Sequence, residues 1–221
     1  MRARTTIASC RSSTGVSNSI AVTFSLEGLT LRANLLNRED LEFGPLANLT
    51  FGRDKDVSST VVRQLGTIDD AYEAGVFGAF AIPVGGSDRI RIAVQGALDV
   101  SGVHDGYVLS ATAAYTTTIG SRGSLSFDVG ASYADDGYAR TYFGVTAAGS
   151  AASGLASFAA KGGLKDVGGS VTASYRIGSN WSLVGYAGYK HLMGDFADSP
   201  IVKGAGNANQ LSGGLGIAFA F

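Results

Sequence analysis

The feature that most constrains this chain is an alternation of apolar and polar side chains at period two, repeated segment after segment. Successive side chains of a strand point to opposite faces, so this pattern marks strands lying between two different environments. Residues 88–100 show it best: Ile90, Ile92, Val94, Leu98 and Val100 share one face, and Arg91, Gln95 and Asp99 the other. In 123–134, Leu125, Phe127, Val129, Ala131 and Tyr133 oppose Ser124, Ser126, Asp128 and Ser132. In 168–178, Val171, Ala173, Tyr175 and Ile177 oppose Ser170, Thr172, Ser174 and Arg176, and in 41–53, Leu41, Phe43, Leu49 and Phe51 oppose Glu42, Asn48 and Thr50. Segments 70–82, 106–119 and 181–193 alternate less cleanly but read as strands. Their lengths are near the roughly 9–11 residues that a tilted strand needs to cross a bilayer.

A soluble sandwich would bury the apolar face; a membrane barrel turns it to lipid and points the polar face into a lumen. Two observations favour the barrel. Charged residues are 16% of the 221, against roughly 25% in an average soluble domain. The connections also alternate in length: 36–40, 83–87, 120–122 and 178–180 are short, 101–105 is modest, and 54–69, 135–167 and 194–208 are long. Outer-membrane barrels sort their connections this way, with short periplasmic turns and long outer loops. No run approaches the roughly 20 apolar residues of a membrane-spanning helix. A net charge of −1 offers no basic face for nucleic acid. The single Cys10 excludes an internal disulfide framework and a cysteine-based zinc cluster.

Residues 20–35 are ambiguous. Ile20, Val22, Phe24 and Leu26 share one parity and Leu29, Leu31 and Leu35 the other, with Gly28 at the switch. A β-bulge reverses facing in this way. A tight turn at Glu27-Gly28 joining two short strands is the alternative, and the bulge is preferred because each half alone is short for a bilayer. The expected fold is an all-β antiparallel transmembrane barrel over 20–221, with nine or ten strands here and about 10–12 in a complete protein. Residues 1–19 are polar and Ser/Thr-rich. Met1-Arg-Ala-Arg4 is basic, but Thr5–Cys10 is too short and too polar for an export signal. The expectation is an irregular, truncated or non-native N-terminus.

The chain closes on Leu211-Ser-Gly-Gly-Leu215-Gly-Ile217-Ala-Phe219-Ala-Phe221. Leu215, Ile217, Phe219 and Phe221 share one face, and a terminal Phe behind such alternation resembles the signal by which outer-membrane barrels are recognised for assembly. These four residues are the expected assembly signal.

From residue 142 onward the sequence resembles the MipA/OmpV family of outer-membrane proteins. The carrying stretches are Tyr142-Phe-Gly-Val145, Ser153-Gly-Leu155, Gly163-Leu-Lys-Asp-Val167, Ser174-Tyr-Arg176 and Trp181-Ser-Leu183. The most specific is Leu192-Met-Gly-Asp-Phe-Ala-Asp-Ser-Pro-Ile-Val202, whose loop residues Gly194, Asp195, Asp198, Ser199 and Pro200 form the family motif. Weaker matches are Phe51-Gly-Arg-Asp54 and Ile68-Asp-Asp70, so the likeness spans about three quarters of the chain. It departs at the front, where the family has a signal peptide and its first strand or strands. The resemblance implies a non-enzymatic barrel in the cell outer membrane that serves as a scaffold or interaction protein for envelope and peptidoglycan machinery. Its implied partners are membrane lipid and lipopolysaccharide, the barrel assembly machinery, and a lytic transglycosylase or another murein enzyme. A narrow porin-like channel for small solutes is the alternative, because the inward positions are mainly small and polar.

No catalytic, cofactor or metal site is expected. His191 lies near Asp195, Asp198 and Ser199 in sequence, which are the residue types of a nucleophilic triad, but it reads as a polar rim residue. His104 beside Asp105 reads as a turn residue, and two isolated histidines do not make a metal site by spacing. Asp54, Asp56, Asp69, Asp70, Asp135 and Asp136 flank long loops. They are read as solvated rim charges rather than cation ligands bridging lipopolysaccharide. The Gly-Gly pairs are not phosphate loops, since no helical period follows them.

Overall fold

A computed structural model describes residues 4–9, 22–36 and 38–219. It is one antiparallel sheet in sequence order: β1 (Arg4–Ser9), β2 (Thr23–Glu27), β3 (Thr30–Asn34), β4 (Leu41–Thr50), β5 (Ala71–Gly85), β6 (Asp88–Asp99), β7 (Tyr107–Ile119), β8 (Gly123–Ala134), β9 (Gly163–Arg176), β10 (Trp181–Leu192) and β11 (Asn209–Phe219). Ten strands, the upper number expected, run from β2 to β11, and β1 precedes them.

The alternation falls as the sequence predicts. Residues paired across antiparallel strands point to the same side. One side gathers Phe43, Val76, Phe80, Ile92, Val94, Leu109, Phe127, Val129, Leu183, Leu215 and Ile217, all exposed. Leu211 is 85% and Leu215 78% exposed, fractions far outside the habit of a soluble core strand. The other side is concave. Arg32 on β3 reaches Glu27 and, three strands away, Gln95 on β6. Arg91 on β6 makes a two-point bond to Glu42 on β4, at 3.2 and 2.7 Å. Asp128 on β8 lies within electrostatic reach of Arg91 and of Glu27 on β2. Such contacts skip intervening strands, which only a strongly curled sheet permits.

The inner wall is uneven. From β3 to β6 it carries Arg32, Glu42, Leu46, Phe77, Arg91 and Gln95, with the Arg32 guanidinium 5.8 Å from the centre of the Phe77 ring. From β7 to β9 it carries Ser110, Thr112, Ser126, Asp128, Gly130, Ser170 and Thr172.

Connections alternate by end as expected. One end has 35–40, 86–87, 120–122 and 177–180; the other has 51–70, 100–106, 135–162 and 193–208. From β2 onward the exception is β2–β3, a two-residue turn on the long-loop side. Here the preferred bulge is corrected: Gly28 adopts φ +61° and Glu27 pairs with Thr30, so 23–34, the strand-forming part of that segment among the described residues, is not one bulged strand but a tight hairpin. Glycine is suited to that left-handed backbone, and the turn reverses facing as readily as a bulge does.

The long connections fold into short helices: α1 (Thr60–Arg63), α2 (Asp136–Phe143), α3 (Ala147–Ser153), α4 (Gly194–Asp198) and α5 (Pro200–Ala205). None of them shows in the alternation. The buried apolar cluster lies here, where Ala139, Phe196 and Val202 pack with Ala134, Ala160 and Leu192. Phe196 is 1% exposed and meets Phe143 edge-on at 5.1 Å. The core therefore roofs one end of the sheet instead of filling the space behind it. No helix among the described residues is long and apolar enough to cross a membrane.

Close strand approach depends on glycine at Gly75. A Cβ there would overlap the carbonyl oxygen of Gly96, whereas one at Gly216 meets nothing within 4 Å. Gly75→Val is expected to lower the denaturant midpoint of detergent-refolded protein by the equivalent of about 3 kcal/mol or more, and Gly216→Val to leave it nearly unchanged.

Candidate functional site: the two ends of the sheet

Beneath the helical roof lies a buried polar layer built from strand ends. Glu73 on β5 is 4% exposed and accepts from Asn48 Nδ2 at 2.6 Å and Thr50 Oγ1 at 3.0 Å. The Nε2 of His104 lies 3.2 Å from the same carboxylate. The Gly106 amide donates to His104 Nδ1 at 3.1 Å. An amide only donates, so Nδ1 accepts and the ring proton sits on Nε2, aimed at Glu73. Both ring nitrogens are thus engaged. The loop is set by Asp99, whose carboxylate accepts from the Ser101, His104 and Asp105 amides and from Ser101 Oγ. Asp105 has φ +49°, a conformation that Asp tolerates better than most residues.

Helix α2 closes over this layer. Tyr138 stands edge-on to the His104 ring at 5.3 Å and Tyr142 lies at 5.8 Å. Burial, first of all, pushes both phenols up from the ordinary tyrosine value, and nearby carboxylates, Glu73 among them, add to it. Lys165 Nζ sits 5.0 Å from the centre of the Tyr138 ring. Lys165 and Lys190 flank Asp166 at 3.6 and 3.4 Å.

His104 occupies the expected loop, but a 3%-exposed ring makes it a tie between β4, β5 and α2 and corrects its reading as a plain turn residue. No motif announces this role, because Asn48, Glu73 and His104 meet only when β4, β5 and the 100–106 loop are side by side. Asp135 and Asp136 are likewise more than solvated charge. Asp135 caps α2 by accepting from Tyr138 N and also accepts from Tyr107 N, while Asp136 accepts from Gly162 N. Asp70 accepts from Gly52 N. Among the described residues, no group of three potential metal ligands is gathered.

The family-motif loop folds as α4 and α5. Gly194 starts α4 at φ +50°. Asp195 accepts from Lys161 N at 2.8 Å, and the exposed Asp198 pairs with Lys203 at 2.9 Å. Ser199 is fully buried, donates to Phe143 O at 2.7 Å and accepts from Ile201 N as the cap of α5, with Pro200 at the first helical position. The Ser-Pro pair is a legible helix start. His191 instead bonds Asn209 Oδ1 through Nδ1 at 2.8 Å. Asp195, Ser199 and His191 therefore each serve a different partner, and the sequence neighbours of a triad are not brought together.

At the opposite end, Arg122 on the β7–β8 turn and Arg176 at the end of β9 are exposed side by side, aligned by a 2.8 Å bond from Arg176 N to Arg122 O. With Ser121, Ile177, Gly178 and Ser179 they line a polar pocket of about 420 Å³. Of the expected assembly residues, Leu215, Ile217 and Phe219 are exposed on the outward face of β11, and Trp181 packs on Phe219 with ring centres 4.7 Å apart. Phe221 lies outside the described residues.

A family model described as MltA-interacting protein MipA matches residues 11–221. No curated protein and no solved structure matches the chain.

Three substitutions test the roof and the polar layer beneath it. Ser199→Ala is expected to cost about 1–3 kcal/mol, since it removes the partner of the Phe143 carbonyl and of the Ile201 amide, and to expose the long loops to protease. Asp198→Ala, in a solvated pair, changes neither reading. His104→Ala, which leaves Glu73 and the Gly106 amide short of a partner, is expected to cost about 2–4 kcal/mol in the same denaturation experiment.

Proposed function

Because the chain belongs to the MipA family of MltA-interacting proteins, we propose that it is a non-enzymatic outer-membrane β-barrel that serves as a docking scaffold for a lytic transglycosylase or a related murein enzyme. The observation that carries the membrane part is the exposed apolar face of β4–β11 set against a concave face of paired charges and hydroxyls. In water such a surface far exceeds the apolar patches that soluble monomers expose; in a bilayer it is the solvent-matched side. Leu215, Ile217, Phe219 and Phe221 then act as the recognition strand for the barrel assembly machinery. The roofed end faces outward among lipopolysaccharide, and the short turns face the periplasm.

The partner is met at that periplasmic end. Arg122 on its turn and Arg176 at the end of β9 present two guanidiniums side by side, a pairing suited to carboxylates. The family-motif residues Gly194, Asp195, Asp198, Ser199 and Pro200 are structural in this reading: they build the roof. A second reading, a narrow channel, is favoured by one observation, the small polar wall from β7 to β9. Bilayer conductance of the purified protein separates it from the scaffold.

The scaffold reading is tested by expressing the chain behind a signal peptide, separating membranes on a density gradient, and measuring binding of purified lytic transglycosylase to the detergent-solubilised protein. Recovery in the outer-membrane fraction with a heat-modifiable band is expected, with transglycosylase binding weakened at least tenfold by Arg122→Glu with Arg176→Glu. A soluble chain rules out the membrane part, and unaltered binding by the double variant rules out the arginine turns as the contact.

A further inference from the structure

The arginines of the concave side divide by position. Those deep in the sheet are neutralised, Arg32 by Glu27 and Arg91 by Glu42. Arg89, Arg122 and Arg176 lie at the short-turn end, and none of the three has an ion pair among the described residues. Arg89 shares the concave parity of Arg91, and Arg176 that of Thr172 and Ser174. The bond from Arg176 N to Arg122 O continues the β8–β9 register by one pair, so these two arginines stand directly opposite each other.

Like charges directly opposite across a ladder are destabilising, and the fold supplies nothing here to offset them. Asp88 accepts from Tyr115 and Thr117, and Asp40 pairs with Arg38. Glu39 stands on the turn ahead of β4, with β4 to β7 between it and β8. Asp128 is bonded by Ser126 and lies further up β8, about 20 Å from Arg122 by the rise of a strand. The pocket of about 420 Å³ beside the two guanidiniums is lined by Ser121, Arg122, Arg176, Ile177, Gly178 and Ser179, with no carboxylate among them. Neither serine hydroxyl has a partner among the described residues. The lining is therefore rich in donors and short of an acceptor. Its frame is held in place: Gly120 takes φ +60° beside Ser121, and the Ile177 and Gly178 amides both donate to Trp181 O, at 3.0 and 3.3 Å.

We propose that this pocket is a binding site for a small ligand ending in an oxyanion, a carboxylate or a phosphate, gripped by Arg122 and Arg176 with the Ser121 and Ser179 hydroxyls beside them. Guanidinium forks bind either oxyanion through paired bonds, and the bound charge offsets the repulsion between the two arginines. Arg89, two ladders away on β6, adds to the field that draws the anion in and takes no part in the grip. The scaffold reading gives the same arginines to a protein surface. A ligand seated in the pocket withdraws both from that surface, so occupancy and docking exclude each other. That consequence rests on the scaffold reading; the site itself does not.

The test uses the full chain folded in non-ionic micelles, in a low-salt buffer free of phosphate. Trp181, the single tryptophan, carries the carbonyl that both turn amides bond, and its fluorescence reports on the pocket. Calorimetry on the same samples registers binding that leaves the fluorescence unchanged. The probes are acetyl-dialanine, which ends in a free carboxylate, its C-terminal amide, inorganic phosphate, and sodium chloride at matched ionic strength. Saturable binding of the acid or of phosphate is expected, with none of the amide or of chloride. Arg122→Gln combined with Arg176→Gln, in protein that keeps the parent's heat-modifiable mobility, is expected to weaken binding about tenfold or more. Arg89→Gln is expected to weaken it no more than about twofold. Saturation by the acid alone assigns the site to carboxylate ligands, and by phosphate alone to phosphate ligands. Saturation by neither, an equal response to the amide or to chloride, or full affinity in the double variant overturns the site. A loss in Arg89→Gln as large as in the double variant also overturns it, because diffuse charge then accounts for the binding. Docking of purified lytic transglycosylase is read separately. Ligand binding without docking removes the scaffold reading and leaves the site, docking without ligand binding removes the site alone, and docking undiminished at saturating ligand overturns the exclusion.

Discussion

Both faces of nearly every strand are committed, and the rest of the structure follows from that constraint. A pleated strand with Val and Phe on one side and Ser, Asp or Arg on the other has no freedom of register, because a slip of one residue would exchange the two sets. From β4 to β11 the ladders keep long registers on these terms, with one irregularity between Pro83 and Gly85 and another between Ser132 and Tyr133. Strand order, curl and the sorting of connections all follow. The concave face then has to satisfy itself, which is why Arg32 is found on Glu27, Arg91 on Glu42, and the Asp128 carboxylate on the Ser126 hydroxyl.

With the sheet's sides given over to alternation, a conventional core has one place left to form, at an end. The long connections supply it. Phe143, Phe196 and Val202 are the bulky apolar residues of segments that lie off the sheet, and they meet over the strand tips. The polar layer of Asn48, Glu73 and His104 lies between this roof and the concave charges. A buried carboxylate with three donors is costly to disturb, so the layer fixes where the 100–106 loop and α2 sit. The family motif falls in the roof, and its buried Ser199 joins α5 to the end of α2 through Phe143 O.

Period two is a signal a sequence carries locally, and the strands from β4 onward were legible for that reason. So were the outward face of β11 and the long and short connections. The hairpin at Gly28 was not separable from a bulge, since either device flips the parity of Leu29 and Leu31 relative to Phe24 and Leu26; only the pairing of Glu27 with Thr30 decides between them. The short helices carry too few turns for a helical period to show, although Ser199-Pro200 and Asp135-Asp136 are cap signals that announce two of them. His104 was the hardest to read, because its partners come from residues 48, 50, 73 and 106 and are neighbours only in three dimensions.

The unevenness of the inner wall has a geometric consequence. Long side chains from β3 to β6 project into the concave space and tie to one another, while β7 to β9 present mostly hydroxyls and glycine that barely leave the backbone, with Asp128 bonded by Ser126 among them. Whatever free volume the curl encloses is therefore eccentric, displaced toward the β7–β9 side. Water or a small solute there would move along a lane of hydroxyls on one side and a latticework of fixed ions on the other, so its path would bend around Arg32 and Phe77 instead of following the axis.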